Sequence, residues 1–265
     1  MTAIQADPRE TIFAAIADRT FVAALIADDE GIVSPLAAAI EAAQEIGLGI
    51  EFQIAEAGYV RPGEQILRFR GTAMQIALAD EQVVGLLAKA SGIATAARRF
   101  VERARGRPQI VSGAWKKLPL AVKDTIRSAI VAGGAQPRIA TGPFVYLDKN
   151  LVTMLGGPAA TLTAVAGMTH HRKVVQLDDA LWSAAAARAG ADVVFIDTGR
   201  VEDAAVAARQ LQEEGLRGRV ELAFGGGVQL DDIDELKRLG VDTVDVGRAI
   251  VDAPLLDMRV RVISS

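Results

Sequence analysis

Residues 220–228 read VELAFGGGV, and residues 243–250 read TVDVGRAI. Both stretches run from a short apolar strand through glycine into the start of a helix. Similar β-rich runs precede them. Helical runs such as 178–188 and 201–214 separate the last four predicted strands. The predicted strands of this half are 109–111, 144–147, 173–176, 193–196, 220–223 and 243–246. Alternating strands and helices indicate a parallel sheet, and short glycine-containing loops at the strand ends favour an α/β barrel.

The first hundred residues follow another pattern. Strands are predicted over 21–26, 49–55 and 65–70, and a long helical pattern runs over 72–105 with one break at Ser91-Gly92. Gly106-Arg107-Pro108 then marks a boundary. We therefore expect an α/β protein with two domains, residues 1–107 and residues 108–255, in which a final strand at about 256–265 returns to the first domain.

Composition narrows the classes of function. The 265 residues contain no cysteine and only two histidines, which are adjacent, so disulfides, thiolate nucleophiles and cysteine-ligated metals are excluded. The net charge of −4 argues against a nucleic-acid partner. There is no 18-residue apolar run, and we expect a soluble cytoplasmic protein with neither a signal peptide nor a membrane partner.

The two glycine loops predict a phosphate site. Glycine after a strand lets backbone N–H groups approach an anion, and a following helix start adds partial positive charge. The last two loops of α/β barrels are the usual place for such a site. The alternative is a pair of tight turns that bind nothing. The predicted phosphate-binding residues are Gly225, Gly226, Gly227, Gly247 and Arg248.

Two polar groups follow other predicted strands. Asp197 ends the run VVFID and could hold a magnesium-bound sugar hydroxyl or stabilise positive charge, or it could cap the next helix. Asp148, Lys149 and Asn150 follow residues 144–147; Lys149 could bind phosphate or form a Schiff base, or the three could lie in a solvated loop.

A third group is cationic. Lys116, Lys117 and Lys123 follow the predicted strand 109–111, and Arg138 follows the pair Gly133-Gly134. Together with Lys149 they could form a basin for a polyanionic substrate, although each alone is a common surface charge.

The chain resembles the quinolinate phosphoribosyltransferases, also called nicotinate-nucleotide pyrophosphorylases. The resemblance extends from about Phe21 to the C-terminus, and its most specific part is the SGIAT of residues 91–95. The stretches that carry it are 58–71, 81–95, 133–134, 189–192 with 196–197, 224–228 and 240–247.

The resemblance implies an N-terminal α/β sandwich and an open, TIM-like α/β barrel. It also implies a homodimer in which each N-terminal domain closes the partner's barrel. The implied reaction transfers phosphoribose from the phosphosugar PRPP, with Mg²⁺, to the nitrogen of quinolinate and releases pyrophosphate and CO₂. Asp197 matches the family's aspartate and is the implied metal contact.

Other family positions differ here. Glu81 stands where the family has an arginine for a substrate carboxylate, and Trp115 replaces the arginine before Lys116. Pro137-Arg138 replaces a His-Arg pair, and Asp148 and Lys149 replace a lysine and the residue after it. Gln176 is nearest to the family's glutamate. We therefore expect Asp197, Lys149 and Gln176 to be catalytic and the acceptor to differ from quinolinate, with Trp115 stacking on a neutral or cationic ring.

Three hypotheses follow. The first is a divergent phosphoribosyltransferase that binds PRPP or a related phosphosugar. The second is a lyase or aldolase in which Lys149 forms a Schiff base with a phosphorylated carbonyl compound. The third is a phosphometabolite-binding protein without catalytic activity.

Overall fold

The computed structural model describes residues 7–264. The strands are β1 (Thr20–Ala27), β2 (Gly31–Ile32), β3 (Gly49–Gln53), β4 (Tyr59–Val60), β5 (Gln65–Thr72), β6 (Gln109–Val111), β7 (Phe144–Leu147), β8 (Arg172–Leu177), β9 (Val193–Asp197), β10 (Glu221–Gly225), β11 (Thr243–Asp245) and β12 (Met258–Ser264). The α-helices are α1 (Pro8–Phe13), α2 (Leu36–Glu45), α3 (Ala73–Ala104), α4 (Lys123–Ala132), α5 (Lys149–Met154), α6 (Pro158–Ala164), α7 (Ser183–Arg188), α8 (Val201–Glu213), α9 (Asp232–Arg238) and α10 (Arg248–Val251).

The chain divides into two units. The first comprises Met1–Thr95, Asp124–Gly133 and Ala253–Ser265, and the second comprises Ala96–Lys123 and Gly134–Asp252. None of the helices within residues 7–264 combines the length and the apolar character that crossing a membrane requires.

The first unit is built on a four-stranded antiparallel sheet in the order β12-β1-β5-β3. Its central strand β1 is buried from Val22 to Ala27. The α3 residues Ile76, Ala79, Val83 and Leu87 recur at helical spacing and belong to the same apolar core.

The expected break at Ser91-Gly92 is wrong, because α3 is continuous from Ala73 to Ala104. The Ser91 hydroxyl accepts the N–H of Ser34 at 3.1 Å and donates to the Ser34 carbonyl at 3.2 Å. A Cβ on Gly92 would collide with the carbonyl oxygen of Pro254. Ser91 and Gly92 therefore allow other segments to pack closely against the helix. Helix propensity, which is a local property, does not reveal such contacts.

The second unit is built on a six-stranded, all-parallel sheet in the order β6-β11-β10-β9-β8-β7. This confirms the expected α/β class. Gln136 extends one edge through a parallel bridge with Val111. Residues from both edges, Val111 from β6 and Tyr146 from β7, line one cavity, so the sheet is strongly curled. The parallel sheet of the described residues has six strands, two fewer than a complete TIM barrel.

Candidate active site

The candidate site begins with a row of residues at the carboxyl end of the parallel sheet. Gly225 is in register with Asp197 on one side and with Asp245 on the other, and Asp245 is in register with Val111. Residues in register across parallel strands point to the same face of a sheet. Two carboxylates therefore flank a glycine on one face, with their backbones about 10 Å apart at the ordinary spacing of two strands.

Strand β10 ends two residues further along the chain than its sequence pattern indicated. β10 runs through Gly225, which is buried, so this glycine belongs to the strand and not to the following loop. A Cβ at Gly225 would lie 2.9 Å from the Phe195 ring and 3.4 Å from the Asp245 Cβ. Gly225 therefore leaves space for the two side chains on either side of it.

Asp197 lies at the centre of a polar cluster. Lys149 Nζ is 3.7 Å from Asp197 Oδ2, and the Gln176 amide donates a short hydrogen bond to the same oxygen. Gln176 is buried, whereas 47% of the Lys149 side chain is exposed. The structure thus brings the three predicted catalytic residues together. Asp197 does not cap α8, whose N-cap position is Arg200 and has no side-chain hydrogen bond to the helix.

Lys149 is in a poor environment for a Schiff base. Such lysines are activated by desolvation or by a neighbouring cation. Lys149 instead is half exposed and forms an ion pair with Asp197.

Asp245 was not singled out from the sequence. Its Oδ1 accepts the Gly113 N–H at 2.9 Å. Burial raises the pKa of Asp245, and the charge of Asp197 raises it further; the Gly113 hydrogen bond and the charges of Lys116 and Lys117 act in the opposite direction. The sequence feature that could have pointed to Asp245 is the strand alternation in residues 243–246, TVDV. This alternation places Asp245 on the same face of the sheet as Thr243.

A cavity of about 290 Å³ opens beside Asp245. Trp115, Phe144 and Tyr146 line it, together with Lys116 and Arg138 at exposed positions. The Trp115 indole N–H donates to the Pro137 carbonyl at 2.7 Å, which orients the ring.

Tyr146 was also missed from the sequence. Lys116 Nζ lies 5.3 Å from the centre of the Tyr146 ring, a distance typical of a cation–π contact. Burial raises the pKa of Tyr146 above its ordinary value, and the charges of Asp245, Asp197 and Asp148 add to this effect. The phenol therefore stays protonated at neutral pH.

Gly226 and Gly227, in the loop after β10, differ in the space that is available for a side chain. A Cβ at Gly226 would lie 2.5 Å from the Gly199 nitrogen, in a backbone with φ +103°. Gly227 has φ +91° but open space around it. Within residues 7–264, the N–H groups of Gly226, Gly227 and Gly247 donate no hydrogen bond. These amides are available to an anion, whereas a side chain at Gly226 would disturb packing against Gly199.

The remaining predicted residues fall into two groups. Asp148 accepts the N–H groups of Asn150 and Leu151, both at 2.9 Å, so its carboxylate is the N-cap of α5. Capping the helix is a structural role that accounts for an aspartate at position 148 without any contact to a substrate. Lys117 is exposed in a 3₁₀ turn, and Lys123 is half buried as the first residue of α4.

Glu81 belongs to the first unit, on α3. It forms an ion pair with Arg9 at 2.9 Å. Its negative charge therefore has a partner within its own unit.

Magnesium can fit this site only together with a phosphorylated substrate. Within residues 7–264 there is no group of three or more histidine, aspartate or glutamate side chains that could hold a metal ion. Mg²⁺ in such sites is commonly held by one or two carboxylates and the phosphates of the substrate. Asp197, the implied metal contact, provides a carboxylate of that kind.

Comparison with known proteins identifies the family. The C-terminal domain model of quinolinate phosphoribosyl transferase matches residues 93–261, and the N-terminal domain model matches residues 10–91. The chain therefore belongs to the quinolinate phosphoribosyl transferase family, as its sequence indicated.

Among its relatives is a probable carboxylating nicotinate-nucleotide pyrophosphorylase of Archaeoglobus fulgidus. It is 28% identical over 208 residues, which cover 77% of this chain and 80% of the relative. The human carboxylating nicotinate-nucleotide pyrophosphorylase is 27% identical over 221 residues, which cover 82% of this chain and 74% of the human protein. The structure of the nicotinate-nucleotide pyrophosphorylase from Francisella tularensis has a TM-score of 0.81 at 20% identity, covering 96% of this chain and 94% of that one. The structural likeness shows the shared fold.

Proposed function

We propose that this chain transfers the phosphoribosyl group of PRPP, bound with Mg²⁺, to a nitrogen acceptor other than quinolinate. The observation that carries the proposal is the cluster of Asp197, Gln176 and Lys149 at the strand ends. The free amides of Gly226, Gly227 and Gly247 support it, because they can bind the sugar phosphate.

Asp197 has the chemistry that this transfer needs. As the bond from C1 of the ribose to pyrophosphate breaks, positive charge develops on the sugar. A fixed carboxylate near the ring stabilises that charge. Gln176 orients the Asp197 carboxylate by donating a hydrogen bond to it, and the Lys149 ammonium can attract the leaving pyrophosphate.

Two features of the acceptor side disfavour a dicarboxylate, although Lys116 and Arg138 also line the cavity. Trp115 stands where the family's arginine is expected, and its one N–H is already used by Pro137. The Asp245 carboxylate lines the cavity and would repel the carboxylates of quinolinate. These features support an acceptor without that pair of negative charges.

The experiment measures PRPP binding by calorimetry and pyrophosphate release with a panel of acceptors. PRPP with Mg²⁺ should bind the wild type, and Asp197→Asn should lower the rate of release by about 10²-fold. Asp178→Asn is the control, since Asp178 is an exposed aspartate just after β8.

The failures have distinct meanings. Absence of PRPP binding would refute the phosphoribosyl proposal, and efficient turnover of quinolinate would refute its acceptor part. Binding without release for any acceptor would favour the non-catalytic hypothesis. A borohydride-trapped adduct on Lys149 would instead establish the lyase.

We also propose a homodimer with the 72–105 helix at its interface. Leu86 is 38% exposed on α3, and neighbouring Gly85 would have no heavy atom within 4 Å of an added Cβ. Ala88, three residues beyond Gly85, is covered within its own unit, where its carbonyl accepts the Leu256 N–H at 2.9 Å. The exposed side of α3 around Leu86 is thus the part available to a second copy.

A further inference from the structure

The inference concerns the free oxygen of Asp245. Its Oδ1 is held by the Gly113 N–H at 2.9 Å. Its Oδ2 accepts no hydrogen bond and forms no ion pair within residues 7–264, although Asp245 lines the 290 Å³ cavity. Asp245 is half buried and lines the open cavity, so a ligand there that donates a hydrogen bond can reach this oxygen.

The cavity walls indicate the shape of that ligand. Aromatic residues make up 5% of the chain, yet Trp115, Phe144 and Tyr146 all line this one small cavity. Lys116 lies over the Tyr146 ring, so one of the three aromatic rings already carries a cation. A volume of 290 Å³ is at the lower end of ligand pockets. Together these features suit a flat, one- or two-ring molecule.

We infer that the acceptor is a neutral nitrogen heterocycle with a ring N–H, and that Asp245 Oδ2 accepts this N–H. The inference rests on the proposed phosphoribosyl transfer and names the substrate class for the same site. An azole ring has the required pair of nitrogens: one carries hydrogen and the other carries a free electron pair. With the N–H directed at Asp245, the second nitrogen faces away from the carboxylate.

The reaction balances without a further reagent. The free electron pair of the second nitrogen forms the bond to C1 of PRPP, and the bond from C1 to the pyrophosphate oxygen breaks, with its electrons leaving on pyrophosphate. The ring N–H proton moves to Asp245 Oδ2 and then to solvent. The products are the N-ribosylated heterocycle, pyrophosphate and one proton.

The surroundings of Asp245 suit a proton acceptor. Burial and Asp197 raise its pKa, while Lys116, Lys117 and the Gly113 N–H oppose the rise. The protonated phenol of Tyr146 faces the same cavity. A carboxylate with a raised pKa takes a proton more readily than an ordinary aspartate.

The test uses benzimidazole and 1-methylbenzimidazole. The two share the flat bicyclic ring and the second nitrogen, but only benzimidazole has an N–H. Each is titrated calorimetrically into protein holding Mg²⁺ and ribose 5-phosphate, which has no pyrophosphate to lose and so cannot react. The wild type should bind benzimidazole at least about tenfold more tightly, a difference of about 1.4 kcal/mol.

Asp245→Asn should reduce this preference to less than about threefold, because the amide can hydrogen-bond the second nitrogen that both compounds possess. Its affinity for 1-methylbenzimidazole should be equal to or higher than that of the wild type, which shows that the variant is folded. Asp252→Asn, at an exposed position, is the matched control and should keep the full preference.

The inference is overturned if the wild type binds both compounds equally, binds neither, or prefers quinolinate. It is also overturned if Asp245→Asn keeps the preference. If benzimidazole is preferred but PRPP and ribose 5-phosphate do not bind, the phosphoribosyl proposal fails while the assignment of Asp245 stands.

Discussion

Substituting Gly225 by alanine adds one methyl group at a crowded point of the candidate site. The new Cβ would lie 2.9 Å from the Phe195 ring and 3.4 Å from the Asp245 Cβ. Phe195 is 2% exposed and belongs to an apolar cluster with Val174 and Val193, both fully buried, so its ring has little space into which to move. Overpacking of this kind typically costs about 1–3 kcal/mol.

Chemical denaturation, followed by a thermal melt, measures this cost. At about 2–4 °C per kcal/mol for a chain of this size, the melting temperature of Gly225→Ala should fall by roughly 2–12 °C. Gly218→Ala is the control, since a Cβ there has no heavy atom within 4 Å and its φ is not in the left-handed region. That variant should stay within about 0.5 kcal/mol of the wild type.

A second substitution identifies the cause. Phe195→Leu removes the ring atoms that the new Cβ would meet, so the double variant should be more stable than the two single changes predict. A favourable coupling of about 0.5–3 kcal/mol is expected for residues in direct contact. Equal stability of Gly225→Ala and Gly218→Ala, or additive effects with Phe195→Leu, would refute the steric explanation.

Two further predictions concern pH and assembly. Because burial raises the folded-state pKa of Asp245 above its ordinary value, the folded chain retains a proton that the unfolded chain releases, and its stability falls as the pH rises through that window. The stability of Asp245→Asn relative to the wild type should therefore increase in urea titrations as the pH rises from about 4, the ordinary pKa of an aspartate. A constant difference would contradict the assignment. Light scattering at micromolar concentration should give twice the chain mass of 27.9 kDa. Leu86→Arg should give a monomer, whereas the control Leu181→Arg, also at an exposed leucine, should remain a dimer. A monomeric wild type would rule out the dimer.

The sequence predicted the parallel sheet well because its strands are short apolar runs separated by amphipathic helices. The predicted bounds of β6 and β7 agree with the structure at both ends. The break at Ser91-Gly92 was wrong for a physical reason: serine and glycine are weak helix formers, but here they provide a hydrogen bond to Ser34 and room for Pro254. Such tertiary contacts are not visible in local sequence.

The site was harder to predict because its geometry depends on register. The sequence indicated Asp197 at a strand end, and the pairing with Lys149 and Gln176 follows from how β8, β9 and α5 align. Gly225 was assigned to the loop because three glycines follow one another, although the first is the last residue of β10. Asp245 was overlooked because its strand was expected to continue to Val246, which placed the aspartate inside the strand and not at its exposed end.

The charge of Asp245 affects which group of an acceptor can lie beside it. At about 4 Å and an effective dielectric constant near 20, two unit charges interact by about 4 kcal/mol, which corresponds to roughly a thousandfold in affinity. A carboxylate of the substrate placed beside Asp245 would meet repulsion of this order, whereas an N–H donor there would satisfy the free Oδ2. Keeping this carboxylate buried destabilises the folded chain at neutral pH, since burial raises its pKa. A residue that lowers stability and yet lies beside a cavity is best explained by what it binds, so Asp245 is the residue at which the acceptor specificity of this chain should be sought.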